Sequence, residues 1–547
     1  MTEQASVPRP GGGAKGQQLA DTAVSPEDAG RLDGASTARL ALILATLILF
    51  TEVAPLQVLM VSNLLPKIGA AFPASGNAAT WTISIFGIVS GATIALVGKL
   101  GDVFGKKRTM LIFSVFFLAG ALLDAVTTSW ALFLVGRGVQ AVCAGMAVIN
   151  YGLVRDLMPR RWIPIAVSFI ATGLGFSAII GPLVGGVLTE HYSFRSAFWF
   201  LFIYMAVMIP LFALIVPESP LRARQRFDVL GVLLFGAGMG LVVMYLTEGG
   251  SWGWTSSGNL PYLIGGVVAL AAFVGWELRT SDPMIELSLL TAPGVALIAA
   301  AALLATGVQA MIPTVQAYLF ETPPQAALQQ QVLAAAAAQK HLPMAMLANI
   351  IHFRGTVSGS GYSPLQLAEH VSIWIALFIM IFGPLAGFLA RRIGARILLI
   401  AGTVAMAGGS ALWIGWHSTW QEQILIGLLY GAGTGFYLAA WPNLIIDSVP
   451  ADRQGIATGV VQVSGAIGVA LFPALFASVL AAHPFQLVAV GQVHDIPQVY
   501  TDSAYSQGYL LLAVIPCVIA VVIGIAMRVG RTPARGGAPV GVTVSDA

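Results

Sequence analysis

Five ionisable side chains stand inside otherwise apolar stretches of this chain: Glu52, Asp124, Arg137 and the neighbours Glu369 and His370. A charge in an apolar run is costly to bury, so each is a functional candidate by default. The chemistry open to them is proton exchange. Desolvation raises a carboxylate pKa toward the physiological range, and a His beside a Glu can titrate near neutral pH. Glu52 follows Arg39 by thirteen residues, about 20 Å along a helix at 1.5 Å per residue, which places it near the middle of the first run. Arg137 is its obvious cationic counterpart. For these two the competing readings are a hydrogen-bond anchor between helices and a purely structural ion pair. Asp124 is expected near the outer end of the third run, where solvation is easy. Glu369 and His370 fall in the first turns of the tenth, where an outer-rim position competes with a titrating one. No metal-ligand spacing, nucleophile elbow or phosphate loop stands in a plausible context. Neither an enzyme, a metal site nor a cofactor is therefore expected. The two cysteines, Cys143 and Cys517, lie in apolar runs and read as small buried hydrophobes.

The elements that must carry these groups follow from composition. The 547 residues are 57% hydrophobic and only 9% charged, against roughly 25% charged for a soluble domain. Most of the surface must then face lipid, and apolar runs that cross lipid are helices, because backbone polar groups must pair internally there. Runs of the ~20-residue spanning length fall at about 40–64, 79–99, 108–128, 130–151, 163–188, 196–216, 227–247, 260–278, 293–314, 364–390, 396–416, 421–442, 456–482 and 507–528. The net charge of +3 is too small to imply a nucleic-acid partner.

Orientation follows from the placement of Lys and Arg in short loops. Lys106, Lys107 and Arg108, then Arg155, Arg160 and Arg161, then Arg222, Arg224 and Arg226 fall on one side. Arg279, Arg391, Arg392, Arg396, Arg453, Arg528, Arg531 and Arg535 continue that side. The opposite side holds Lys67, Arg195, Lys340 and Arg354. An even count of spans with both ends cytoplasmic preserves the alternation. Residues 1–38 read as a disordered cytoplasmic tail, rich in Gly, Ala, Ser and Pro, without a cleavable signal; 529–547 form a second tail. Two loops on the outer side are long. In 320–362, the Ala/Gln-rich stretch Pro324 to His341 suits a short helix outside the membrane, as a lineage-specific insertion or as an outer gate or docking site for a periplasmic partner. The loop from His483 to Ser506 carries no interpretable signal.

The chain also repeats itself. Gly98-Lys-Leu-Gly-Asp-Val-Phe-Gly-Lys-Lys-Arg108 after the second run and Gly387-Phe-Leu-Ala-Arg-Arg-Ile-Gly-Ala-Arg396 after the tenth share glycine spacing, a Leu and terminal basic residues. A recurrence at corresponding places in two halves is the mark of a repeat-built transporter. Here the sequence resembles the major facilitator superfamily. Gly98, Leu100, Asp102, Gly105 and Lys106 match its signature loop, with Val103 at a usually basic position and Arg391 replacing the Asp in the second copy. Gly173, Gly181, Pro182, Gly185 and Gly186 are similar to the glycine-rich motif of the superfamily's antiporters. Arg137 followed by Gln140 is similar to its Arg-containing motif, with Ala141 at a usual Gly. The pair of runs within 227–278, the Ser251-Trp-Gly-Trp254 turn between them and Gly361-Tyr-Ser-Pro364 point to the fourteen-span drug:proton antiporter branch.

The resemblance, which covers about 40–530, implies an all-α polytopic membrane protein of the major facilitator fold. Two six-helix halves, 39–216 and 293–528, would flank two additional central helices at 227–278. It implies a proton-coupled antiporter that exports a small amphipathic or cationic compound across the bacterial inner membrane by alternating access, with protons, substrate and membrane lipid as its partners. The competing functions are a lipid or metabolite transporter on the same scaffold, and a sensor or scaffold that no longer transports. The family's usual first-helix Asp falls at Gln57, which cannot titrate; Glu52, five residues earlier, takes its place as the proton-coupling candidate, with Arg137 tuning it. Asp102 would contact the N-terminal end of a helix from the other half and hold the cytoplasmic side closed, while Lys106 and Lys107 pair with acidic groups or lipid headgroups. The substrate cavity would lie between the halves, lined by Gln57, Trp81, Phe86, Tyr437 and Trp441, with lipid-facing or interfacial placement of the aromatics as the alternative.

Overall fold

The computed structural model describes residues 31–530 apart from 74–77, 160–161, 223–226, 418 and 450–453. The basic residues Arg160, Arg161, Arg224, Arg226, Arg453, Arg531 and Arg535, and most of both expected tails, lie outside the described residues.

Apolar composition and internal backbone pairing give an almost wholly helical chain. The N-terminal group comprises α1 (Thr37–Thr51), α2 (Val53–Ser62), α3 (Leu65–Ala71), α4 (Trp81–Phe104), α5 (Lys106–Val126), α6 (Trp130–Ala141), α7 (Met146–Leu157), α8 (Ile163–His191) and α9 (Arg195–Ile215). Two further helices follow, α10 (Val229–Trp252) and α11 (Leu260–Glu277). The C-terminal group opens with α12 (Pro293–Glu321), α13 (Gln325–Lys340), α14 (Met344–Ala348) and strand β1 (Ile351–Arg354). It continues through α15 (Pro364–Leu367), α16 (Ile373–Ile393), α17 (Ala395–Trp413), α18 (Trp420–Ser448) and α19 (Gln454–Ala481). Strands β2 (Pro484–Ala489) and β3 (Gln492–Tyr500) precede α20 (Asp502–Tyr509) and α21 (Ile515–Ala526).

Among the described residues twelve helices are long and apolar enough to cross a membrane, with α1–α2, α6–α7, α15–α16 and α20–α21 each counting as one, or thirteen if α4, bent by 43° between Ile94 and Leu96, is one span. The 29-residue α8 stands where the fifth run was expected. The break between α1 and α2 has a local cause. Pro55 has no N–H to give the Thr51 carbonyl, so the i→i+4 ladder is interrupted at that turn, and Glu52 sits at the junction.

The two groups touch through α8 against α15 and α16, and through α4 against α19. Glycines permit the close approaches. A Cβ at Gly87 would lie 2.6 Å from the Ala470 backbone N, and one at Gly186 would lie 2.6 Å from Leu365 Cα. The pair α10–α11 packs on itself and leans on both α4 and α19, where the Ser478 hydroxyl donates to the Leu246 carbonyl.

The two long loops do not stay separate. Residues 320–362 supply α13, in the Ala/Gln-rich stretch, and β1; the loop from His483 supplies β2 and β3. The strands form one antiparallel sheet in the order β1-β2-β3, with Ile351 opposite Ala489 and Leu487 opposite His494. Beneath it Phe485, Leu328 and Val357 are buried, and the rings of Phe353 and Phe485 stack at 5.8 Å. The β2–β3 turn is Val490-Gly491, both at positive φ (52° and 77°). Two-residue hairpin turns of this kind favour Asn-Gly or Asp-Gly, and a Val in the first place is why no hairpin signal stands in the sequence.

Candidate functional site

The N-terminal group holds a buried polar relay. Arg137 Nη1 donates to Gln57 Oε1 and to Gln140 Oε1, each at 2.6 Å, and Gln140 Nε2 donates to Asp124 Oδ2 at 2.8 Å. Arg137 Nε also donates to the Thr82 carbonyl at 3.2 Å. The relay thus ties α2, α4, α5 and α6 together. A primary amide suits the middle position because its oxygen accepts from the guanidinium while its NH2 donates to the carboxylate. Arg137, Asp124, Gln57 and Gln140 are all 0% exposed. The faces of Phe86 and Phe198 stand 5.8 and 6.0 Å from the guanidinium carbon, adding a cation–π contribution.

Small residues make this geometry reachable. Where α5 crosses α6, a Cβ at Gly120 would lie 2.6 Å from the Gly136 carbonyl, and one at Gly136 would overlap Asp124 Oδ1. The crossing pulls Asp124 inward. The expectation that Asp124 is solvated at an outer rim is therefore wrong: its position along α5 is near the end, but its face is turned to Gln140. The pairing expected for Arg137 also changes. The acid opposite it, through Gln140, is Asp124 and not Glu52.

Glu52 has its own setting. It is 6% exposed, and its carboxylate accepts a hydrogen bond from the Ser177 hydroxyl on α8. Nearby, Asn150 Nδ2 donates to Thr51 Oγ1 at 3.0 Å, and the Tyr204 hydroxyl donates to the Leu49 carbonyl at 2.6 Å. The glycine-rich motif explains how α8 comes so close to α2. A Cβ at Gly181 would lie 3.0 Å from the Leu56 carbonyl, and one at Gly185 would lie 2.6 Å from Met60 Cγ. Gly173 lies on the same helix, with its surroundings outside the described residues. Gly186 faces α15 instead, so the motif serves two interfaces.

Between the two groups lies a cavity of about 110 Å³, walled by α2, α8, α12, α16, α18 and Ser372. Asn63 Nδ2 on one side donates to Ser372 Oγ on the other at 3.0 Å. None of the five residues expected to line the cavity is in its wall, whereas Pro182, singled out as part of the glycine-rich motif, is. Gln57 and Phe86 are turned away to Arg137. Tyr437 is buried between helices, its hydroxyl 3.3 Å from Thr306 Oγ1 and its backbone against Gly402. Trp81 and Trp441 are half-buried against the main apolar core. Sequence reasoning missed Asn63, Gln309, Gln316, Ser372 and Ser177. Gln309 and Gln316 did leave a signal, two amides seven residues apart in an apolar helix.

Glu369 and His370 lie in a π-helical turn, Ala368–Ser372. Glu369 is exposed, and the His370 ring sits between Tyr362 and Trp420, with centroids at 5.2 and 6.1 Å. The structure does not bring either one to Glu52 or to the relay.

At the opposite end of the bundle the signature loop is a charge cluster. Gly105, at φ 115°, is the single residue between α4 and α5. A side chain is strained in that conformation, and one here would also strike Arg222 and Glu218. Lys106 is buried; its Nζ lies 2.8 Å from Asp156 Oδ2 and 3.1 Å from Asp102 Oδ1. Ser219 Oγ adds a 2.7 Å bond to the same Asp156 oxygen. Glu218 accepts from the Lys107 and Arg108 backbone N–H groups, an anion at a helix N-terminus where the dipole favours it. Lys107 Nζ reaches the Ala213 carbonyl at 2.5 Å. The acidic pairing expected of Lys106 is present, and the described ion pair of Asp102 is with Lys106 of its own loop. Gly98 faces Val148 on α7.

A family model described as the Major Facilitator Superfamily matches residues 42–364 and 333–539. The chain is 28% identical over 430 residues to the multidrug resistance protein Stp of Mycobacterium tuberculosis (strain CDC 1551 / Oshkosh), covering 78% of this chain and 73% of that one. It is 24% identical over 410 residues to the tetracenomycin C resistance and export protein of Streptomyces glaucescens, covering 73% and 69%. In structure it is similar to the POT family transporter PepTSo, with a TM-score of 0.58 at 14% identity over 88% of this chain and 97% of that one. The human organic anion transporter MFSD10 gives a TM-score of 0.51 at 17% identity, over 88% and 99%.

Proposed function

The chain belongs to the major facilitator superfamily, multi-pass membrane transporters rather than enzymes, and from that premise we propose that it exports a small amphipathic compound in exchange for protons. The membrane is the bacterial inner membrane, with both termini cytoplasmic and the three-stranded sheet outside. The relatives' names, multidrug resistance and tetracenomycin C export, support the outward direction.

The observation that carries the coupling is the Glu52–Ser177 pair. Ser177 is the chain neighbour of Ala178 in the cavity wall, and α2, which begins just after Glu52, supplies Leu59 and Asn63 to that wall. Protonation turns an acceptor-only carboxylate into a group that also donates. It therefore changes the bond that joins the α1–α2 junction to α8, two elements whose continuations wall the cavity. Arg137, a fixed cation, and its relay hold α2, α4, α5 and α6 as one body, so a change at Glu52 is passed on as a tilt of that body against the C-terminal group. Release of the Asn63–Ser372 bond and of the Gly186–Leu365 contact then opens the sheet-bearing end.

The test is cargo uptake into everted vesicles under imposed pH gradients. Wild type should accelerate with the gradient, while Glu52→Gln should move cargo at a rate independent of it. An unchanged gradient response in Glu52→Gln refutes this assignment and moves the search to Asp124.

A further inference from the structure

The cavity is unlike a cation site. Among its described lining residues there is no Asp, Glu, Lys or Arg. Its body is apolar, formed largely by Leu59, Ile312, Ile375, Ile379 and Leu438. Against this surface stand two primary amides, Gln309 and Gln316, on α12. Seven residues separate them, two helical turns on one face and about 10 Å along the axis. The Nε2 atom of each is buried without a hydrogen-bond partner among the described residues. A buried amide N–H left unmade is unfavourable, so both groups are poised to gain an acceptor. A third polar group follows from Pro313 within the same helix. Having no N–H, it leaves the Gln309 carbonyl without its helical donor.

We infer that the cargo is an uncharged amphipathic molecule whose oxygen groups, about 10 Å apart, hydrogen-bond Gln309 and Gln316 while its apolar body lies on the isoleucine and leucine wall. The inference rests on the export reading and narrows it: a permanent cation would meet no carboxylate among the described residues of this wall. Specificity of this kind comes from placed polar groups on an apolar surface. A cargo lacking the matching oxygens leaves both amides unpaired and is rejected on that ground.

The experiment uses the full chain, purified in detergent and also in everted vesicles. The uncharged probe is 2,6-dimethoxyanthraquinone and the cationic probe is ethidium. The quinone should bind, as read by quenching of tryptophan fluorescence, and ethidium should bind far more weakly. Gln309→Leu and Gln316→Leu should each weaken quinone binding about fivefold, the value of one hydrogen bond. Gln309→Glu, which adds a carboxylate to the wall, should raise ethidium binding. Gln309→Met, which keeps the length of the side chain, guards against a packing defect and should behave as Leu does. Quinone binding without pH-driven flux would refute the export reading and leave the cargo class standing. Ethidium bound and pumped in preference to the quinone, with the Leu variants unaffected, would overturn the cargo class and leave export standing. No quinone binding by wild type also overturns it.

Discussion

Gln140→Leu should damage the buried relay severely, although it removes no charge. Gln140 is the described hydrogen-bond bridge between Arg137 and Asp124, which also attract each other directly as opposite charges, and the substitution deletes two hydrogen bonds to charged groups, at 2.6 and 2.8 Å. Bonds of that kind contribute about 1.5–3 kcal/mol each, which gives roughly 3–6 kcal/mol. Leucine fills nearly the same volume, so a cavity term adds little. Gln57→Leu removes one such bond and should be about half as severe. The assay is reversible unfolding in mixed detergent micelles, with Asp124→Asn, Arg137→Gln and the double variant completing a cycle. Strong coupling is expected, the double variant being less destabilised than the sum of the singles. Additive singles, or a Gln140→Leu loss below about 1 kcal/mol, would refute the claim that the relay acts as one unit.

Other perturbations probe the remaining contacts. Ser177→Ala should keep transport but shift its pH dependence, because the carboxyl of Glu52 loses its described hydrogen-bond donor; a rate–pH profile identical to wild type would count against the pair. Gly186→Val should favour separation of α8 from α15, since a Cβ there would lie 2.6 Å from Leu365 Cα, a backbone-fixed atom; accessibility of an engineered cysteine at the sheet-bearing end should rise. Asn63→Cys with Ser372→Cys replaces a 3.0 Å cross-group bond; oxidation should arrest transport and reductant should restore it, and full activity in the cross-linked state would rule out separation at this point.

Much of the fold could be read directly. Lipid-length apolar runs force helices, because no other open element pairs its backbone internally. The signature loop, the glycine-rich fifth run and the Arg137–Gln140 pair lay in plain view because their function depends on local spacing. Lys106 with Asp102 is an i,i+4 contact and needs nothing distant. Glycine spacing in α8 likewise foretold close packing, though not that Gly181 and Gly185 would meet α2 while Gly186 met α15.

The face that each side chain presents was decided by tertiary structure. Composition and spacing determined which residues were chemically capable; helix rotation and crossing selected among them. Asp124 stands near a helix end, and only the Gly120–Gly136 crossing turns it inward to Gln140. Gln57, Phe86 and Tyr437 lie at plausible depths for a cavity wall, yet their faces are spent on Arg137 and on helix packing. The wall belongs to Gln309, Gln316, Asn63 and Ser372, which meet only when two groups of helices distant in sequence come together. The sheet is the same lesson in strand form: β1 and β2 are more than 100 residues apart, and no local pattern can announce a partner that the chain reaches only after folding.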